Sequence, residues 1–251
     1  MSRFGDILRK SLHTAPSSLG FRPSAATKPR MVLVAALNEL PDDFGLWVEG
    51  ADAVIVGAGL KVKEIKASAK VIQAPWGIWL NGSSQAARQA EAAGADFVAF
   101  EPDKTGLDIL ASEKLGKIIS VDASIENALL YSINELPVEA VYLKREPRGA
   151  VTWLELMQFR RLADLIAKPM LVPVAPDTSP AHLKALWEAG VDGVLITALA
   201  AGELAEIRSG MDEMALPARK KWLRARPLVP VMSPVPSLTQ REEEEEEDEE
   251  E

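Results

Sequence analysis

The stretch GADFVAFEP, Gly94 to Pro102, sets small residues and an acid before a short apolar run, then closes on Glu101, with Asp103 just beyond. Three other places repeat its opening: GADAVIVGAG from Gly50, PVEAVYLKRE from Pro137 and GVDGVLITAL from Gly190. A second series interleaves with it, each member a cation followed by an apolar run: RMVLVAA from Arg30, KVIQAP from Lys70, KIISVDA from Lys117 and KPMLVPVAP from Lys168. Together they predict eight strands, near residues 31–36, 53–57, 71–75, 96–100, 118–122, 140–144, 170–175 and 193–197. The apolarity is continuous rather than alternating, as in strands buried on both faces of a parallel sheet.

Helix signals fill the gaps. In SSQAARQAEAAG, Ser83 or Ser84 caps the start and Gly94 the end; in SPAHLKALWEAG, Ser179 is the cap, Pro180 takes the first helical position and Gly190 follows the end. The repeated phrase is therefore a helix stop and the turn into the next strand. Eight such alternations imply a single α/β domain, a (β/α)8 TIM barrel, with an open doubly wound sheet as the rival arrangement. The first helix, in PDDFGLWVEG, is short, and the third strand either ends at Pro75 or stays extended through GIWL, Gly77 to Leu80.

Composition narrows the chemistry. The chain has 251 residues and no cysteine, which excludes disulfides, thiolate metal sites and cysteine nucleophiles. Only His13 and His182 are present, so a zinc or iron site rich in imidazole is not expected. No cofactor is called for, and magnesium is the one metal that the oxygen ligands suit. The final run, Glu242 to Glu251, carries −10 of a net charge of −9, leaving a body of +1. Such a body makes no electrostatic case for nucleic acid. No apolar run is long enough to span a bilayer and no secretory signal opens the chain, so a cytoplasmic protein is expected.

Three segments lie outside the expected barrel of residues 30–216. Residues 1–29 form a basic N-terminal extension in which Phe4, Ile7, Leu8 and Leu12 share a helical face. That helix either packs on its own barrel or docks on a partner or an anionic surface; the Arg- and Ser-rich composition also fits a mitochondrial presequence. Residues 217–241 are basic and Pro-rich, which favours an extended linker. Residues 242–251 form an acidic tail expected to be disordered, since ten like charges repel and bury nothing. The arm and the tail are the expected routes to any protein partner.

In such a barrel the chemistry sits at the C-terminal ends of the strands. Candidate substrate-binding residues there are Asn38, Trp76, Asn81, Asp103, Arg145, Asp177 and Thr197, and candidate catalytic residues are Glu101, Asp122 and Lys144. A partly desolvated lysine at a strand end can form a Schiff base with a carbonyl, with Asp122 and Glu101 moving protons; alternatively Lys144 or Arg145 simply pairs with those carboxylates. A magnesium site from Glu101, Asp103, Asp122 or Asp177 is a competing arrangement. Trp76 and Trp79 line an apolar pocket, form a plug, or pack the N-terminal arm.

The phrases AEAAGADFVAF and LKALWEAGVDGVLIT resemble those of the ribulose-phosphate-binding barrels, including thiamine-phosphate synthase-like and indoleglycerol-phosphate synthase-like enzymes. The resemblance implies a phosphate gripped by glycine-rich turns after strands seven and eight. Here those turns are APDTSP (Ala175 to Pro180) and TALAAGE (Thr197 to Glu203), with Gly202 alone available and Glu203 beside it. The Asp-x-Lys-x-x-Asp pattern of the decarboxylase branch is absent. Two functions are left: a lyase- or isomerase-type enzyme acting on a carbonyl or phosphorylated small molecule, or a non-catalytic barrel that binds partners through its charged termini.

Overall fold

The helix-stop glycines do what the repeated phrase requires of them. Gly94 and Gly190 adopt the left-handed conformation, at φ 94° and 106°, and each turns its N–H back onto the helix it ends. At the other ends, the Ser83 and Ser179 side chains accept from the N–H groups of Ala86 and His182, at 3.4 and 3.3 Å. The computed structural model describes residues 2–12, 30–41, 43–57, 65, 74–146, 149–197 and 200–217. The Pro-rich segment, the acidic tail, most of the link between the second and third strands, and the N-terminal extension beyond residue 12 fall outside them.

Helix α1 (Arg3–Leu12) precedes the strands β1 (Val32–Leu37), β2 (Ala53–Val56), β3 (Trp76–Leu80), β4 (Phe97–Phe100), β5 (Gly116–Asp122), β6 (Ala140–Lys144), β7 (Met170–Val174) and β8 (Gly193–Thr197). All eight pair in parallel and in chain order, and β8 returns to β1, so the sheet is a closed barrel and not an open doubly wound one. The described helices between and after the strands are α2 (Phe44–Trp47), α3 (Ser84–Ala93), α4 (Asn127–Glu135), α5 (Trp153–Leu165), α6 (Pro180–Ala189) and α7 (Glu203–Glu213). A 3-10 helix (Leu107–Ala111) links β4 to β5. Helix α5 starts with a reciprocal cap, Thr152 accepting from Glu155 N–H while Glu155 accepts from Thr152 N–H.

Of the two readings of the third strand, the structure shows the one that extends through GIWL, while residues 71–73 of the other lie outside the described residues. Pro75 has no N–H to give a ladder; its carbonyl accepts from Val54 N–H at 3.0 Å, and the strand begins after it. Trp76, Ile78, Trp79 and Leu80 then supply the bulky side chains that suit a pleated surface.

Alternation along the strands separates two cores. Val32, Val34, Ala36, Ala53, Ile55, Phe97, Ala99, Ile118, Ala140, Leu171 and Leu195 fill the barrel interior, while their neighbours in sequence, such as Leu33, Val54, Val98, Val141 and Val194, pack beneath the helices. Phe4 and Leu8 of α1 belong to the interior set, so α1 plugs the N-terminal end of the barrel instead of standing free as an arm. Phe4 stacks on Phe97 with ring centroids 4.6 Å apart. Phe97 is flanked in register by Gly77 and Gly116. A Cβ at Gly77 would collide with Phe97, and one at Gly116 with Glu139 and Ser2, so missing side chains make the hole that the plug fills.

The acids of the four repeated phrases all serve this end of the barrel. Asp96 accepts from the N–H groups of Arg3 and Phe4, at 2.9 and 2.8 Å, and Glu139 from the N–H of Ser2 at 3.0 Å and from its hydroxyl, so both cap α1. Asp52 accepts from Leu33 N–H at 2.9 Å and Asp192 from Met170 N–H at 2.7 Å, tying each to a neighbouring strand. Arg208 of α7 meets Asp52 at 3.3 Å and the Met31 carbonyl at 3.1 Å, fastening the last helix to the first strand. Two cations of the second series, Arg30 and Lys117, stay at this end too. Arg30 pairs with Asp52 at 3.3 Å, and buried Lys117 donates to the carbonyls of Ser112 and Leu115.

Candidate active site at the C-terminal mouth

The inward alternation of β4, β5 and β6 continues into Glu101, Asp122 and Lys144. The Lys144 ammonium donates to Glu101 Oε2 at 2.5 Å, and Lys104, three residues beyond Glu101, reaches the same oxygen at 3.1 Å. Asp122 stands opposite Lys144 in the β5–β6 register, but its Oδ1 is taken by the N–H and hydroxyl of Ser124, at 2.8 and 2.6 Å. The structure thus gathers the three predicted catalytic side chains on three adjacent strands.

Hydrogen bonding sets their charges. Glu101 is held below its ordinary 4.5, first by the bond from Lys144 and then by that from Lys104. Lys144 is raised above 10.5, chiefly by the bond to Glu101, with the charges of Asp103 and Asp122 adding to it. Asp122 is lowered, first by the Ser124 hydroxyl and then by its N–H. A Schiff-base lysine needs the opposite shift, since only the neutral amine attacks a carbonyl. The resting mouth therefore presents a fixed ammonium between fixed carboxylates.

Beneath the charges lies an aromatic floor. Trp79 of β3 and Tyr142 of β6 pack edge to face, with centroids 4.8 Å apart at 76°, and both join the interior core. Burial pushes the Tyr142 hydroxyl up to about 12, so it is a neutral group at physiological pH. Tyr142 is paired in register with Ser120, whose hydroxyl is buried and without a partner. Neither residue was among the candidates, although each lies two positions before one of them, Asp122 or Lys144, and so on the same strand face.

The remaining candidates divide. Asn38, Asn81 and Thr197 continue or end the inward alternation of β1, β3 and β8, and Asp103 and Asp177 lie exposed in the turns after β4 and β7. Two are corrected. Trp76 opens β3 at the far end from the mouth and packs in the helix-side core, because it is out of phase with Trp79. Arg145, one residue past Lys144, faces the opposite way and is 7% exposed; it pairs with Glu155 at 2.5 Å and donates to the carbonyls of Pro173, Gly149 and Ala150. It pins the start of α5. Nor do Glu101, Asp103, Asp122 and Asp177 form a magnesium cluster: among the described residues no group of three or more acids or histidines is placed to hold a metal.

Comparison with known proteins rests on structure. No protein-family model matches the chain, and no curated protein matches it. Among solved structures it is similar to a chain of tryptophan synthase from M. tuberculosis, at 18% identity and a TM-score of 0.61, covering 84% of this chain and 98% of that one. A second M. tuberculosis structure gives 19% identity, a TM-score of 0.60 and the same coverage. The E74A tryptophan synthase α-subunit of Pyrococcus furiosus gives 14% identity and a TM-score of 0.57, covering 74% and 97%. These are likenesses of fold. Among the described residues no helix is long and apolar enough to cross a membrane.

Proposed function

We propose that this chain is a small-molecule enzyme of the lyase or isomerase type, acting at the C-terminal mouth on a carbonyl or phosphorylated metabolite. The observation that carries the reading is the Lys144–Glu101 pair, 40% and 29% exposed, standing above the Trp79–Tyr142 floor with Asp122 beside it. An ammonium held protonated neutralises charge that develops on a substrate oxygen, and an adjacent carboxylate moves a proton to or from the neighbouring carbon. In this role Lys144 is an electrostatic group and not a nucleophile, while Asp122 keeps the field around it negative. The similarity to tryptophan synthase chains and to the ribulose-phosphate-binding barrels supports the barrel as a framework for such chemistry, but the reading is built on this chain's own side chains.

The test is turnover of a panel of carboxylated and phosphorylated carbonyl compounds followed by NMR. A converted compound whose conversion falls at least about a hundredfold in both Lys144→Met and Glu101→Gln supports the reading, on the scale of general acid–base catalysis. Full conversion by both variants, or none by the native chain, overturns it.

A second reading, a non-catalytic binding module, is favoured by one observation: Trp153, Leu154 and Met157 at the start of α5 are 82%, 64% and 67% exposed. Helix α1, being a plug, is not the docking arm of this reading. If a protein partner docks on the α5 surface, Trp153→Glu abolishes its capture; an unchanged set of captured proteins rejects the reading.

A further inference from the structure

The pair between Lys144 and Glu101 joins β6 to β4, and β5 runs between those strands. The bridge therefore passes across the inward face of β5. That face carries Ile118, Ser120 and Asp122 in succession. Register puts Ser120 directly beside Tyr142 on one side; on the other, Phe100 pairs with Ile119, so Glu101 comes level with Ser120. Ser120 is 1% exposed and its hydroxyl has no hydrogen-bond partner, although the strand residues named above as filling the barrel interior are all apolar. A buried hydroxyl left unpaired is costly, and alanine would fill the position without that cost.

We infer that Ser120 is the floor of a substrate subsite roofed by the Lys144–Glu101 bridge, and that its ligand is a short oxyanion, carboxylate or phosphate, bearing a hydroxyl or oxo group near the charged end. The anion replaces Glu101 as the partner of Lys144. The neighbouring oxygen takes the hydrogen bond that Ser120 lacks, and the ligand's carbon chain lies against the Trp79 and Tyr142 rings. Release from Lys144 removes the largest influence lowering Glu101, so its carboxylate gains basicity when substrate is in place. Phosphate contact at the β8 turn is not part of this scheme, since Glu203 stands there with a side-chain oxygen 3.3 Å from Ala200 N.

The inference rests on the mouth being the working site and adds to it the ligand class and the residue that reads it. It is tested by binding, separately from turnover. Calorimetric titration compares lactate with propionate and glycerol 3-phosphate with propyl phosphate, on the native chain, Ser120→Ala and Lys144→Met. The expected result is that at least one oxygenated member binds about tenfold tighter than its deoxygenated match, the scale of one buried hydrogen bond. Ser120→Ala, which removes a group with no partner and so keeps the fold, erases that ratio, and Lys144→Met weakens both members. The pair that responds tells carboxylate from phosphate. Equal affinity within both pairs, no binding by any member, or a ratio that survives in Ser120→Ala overturns the inference. The proposed enzyme fails separately: oxygen-selective binding with no turnover refutes the enzyme and keeps the subsite, whereas turnover without oxygen selectivity does the reverse.

Discussion

Two ion pairs of the same chemical kind sit at opposite ends of this barrel and are built to opposite ends. At the base, Arg208 and Asp52 are 8% and 13% exposed, and each is also committed to backbone: the Met31 carbonyl for the arginine, the Leu33 N–H for the aspartate. At the mouth, Lys144 and Glu101 are 40% and 29% exposed and hold each other through side chains. Backbone partners cannot leave, so the base pair is a fastening. Side-chain partners can be exchanged for a ligand, so the mouth pair suits chemistry. The difference lies in what surrounds the charges and not in the charges themselves.

The largest expected effect is at the base. Arg208→Met leaves Asp52 in a mostly buried position with the Leu33 N–H and half-exposed Arg30 as its remaining partners, and should lower unfolding free energy by about 3 kcal/mol in a denaturant titration. A loss below about 1 kcal/mol would erase the contrast between the two ends. Next comes Asp96→Ala, which uncaps α1 at two N–H groups and should cost about 1 to 2 kcal/mol while leaving ligand binding at the mouth unchanged. If binding changed with it, plug and mouth would not be separable.

The smallest effect on stability is expected at the mouth itself. Lys144→Met should cost no more than about 1 kcal/mol, since its pair is partly solvated. The pH dependence follows from the directions of the two shifts. Glu101, lowered, contributes stability above 4.5 that is lost as pH falls through its folded value. Lys144, raised, contributes below 10.5 and loses that contribution as pH rises through its folded value. Oxyanion binding should therefore show no protein titration from Lys144 below 10.5. A binding midpoint near neutrality that disappears in Lys144→Met would mean a depressed lysine and would restore the Schiff-base chemistry.

Much of the barrel was legible because its signals are local. A serine three residues before a free N–H, or a glycine where the backbone turns left-handed, acts within one turn of chain. Ser83, Gly94, Ser179 and Gly190 therefore mark helix ends correctly. The third strand had two readings because KVIQAP and PWGIWL are both apolar runs, and the ladder with β2 selects the second. Glu101, Asp122 and Lys144 were found at strand ends. Trp76 and Arg145 were grouped with them because an apolar run does not reveal which of two neighbouring residues faces inward.

The sequence by itself determined the number of strands, their order along the chain and the ends of α3 and α6, because those depend on composition and hydrogen bonding over a few residues. Tertiary structure decided which side of each strand is the inside, that the acids before the even-numbered strands serve the base, and that β4, β5 and β6 bring Glu101, Ser120 and Lys144 together. The physical reason is the two-residue period of a strand. A buried parallel strand is apolar on both faces, so the phase of that period is set by closure of the ring and not by any pattern in the strand.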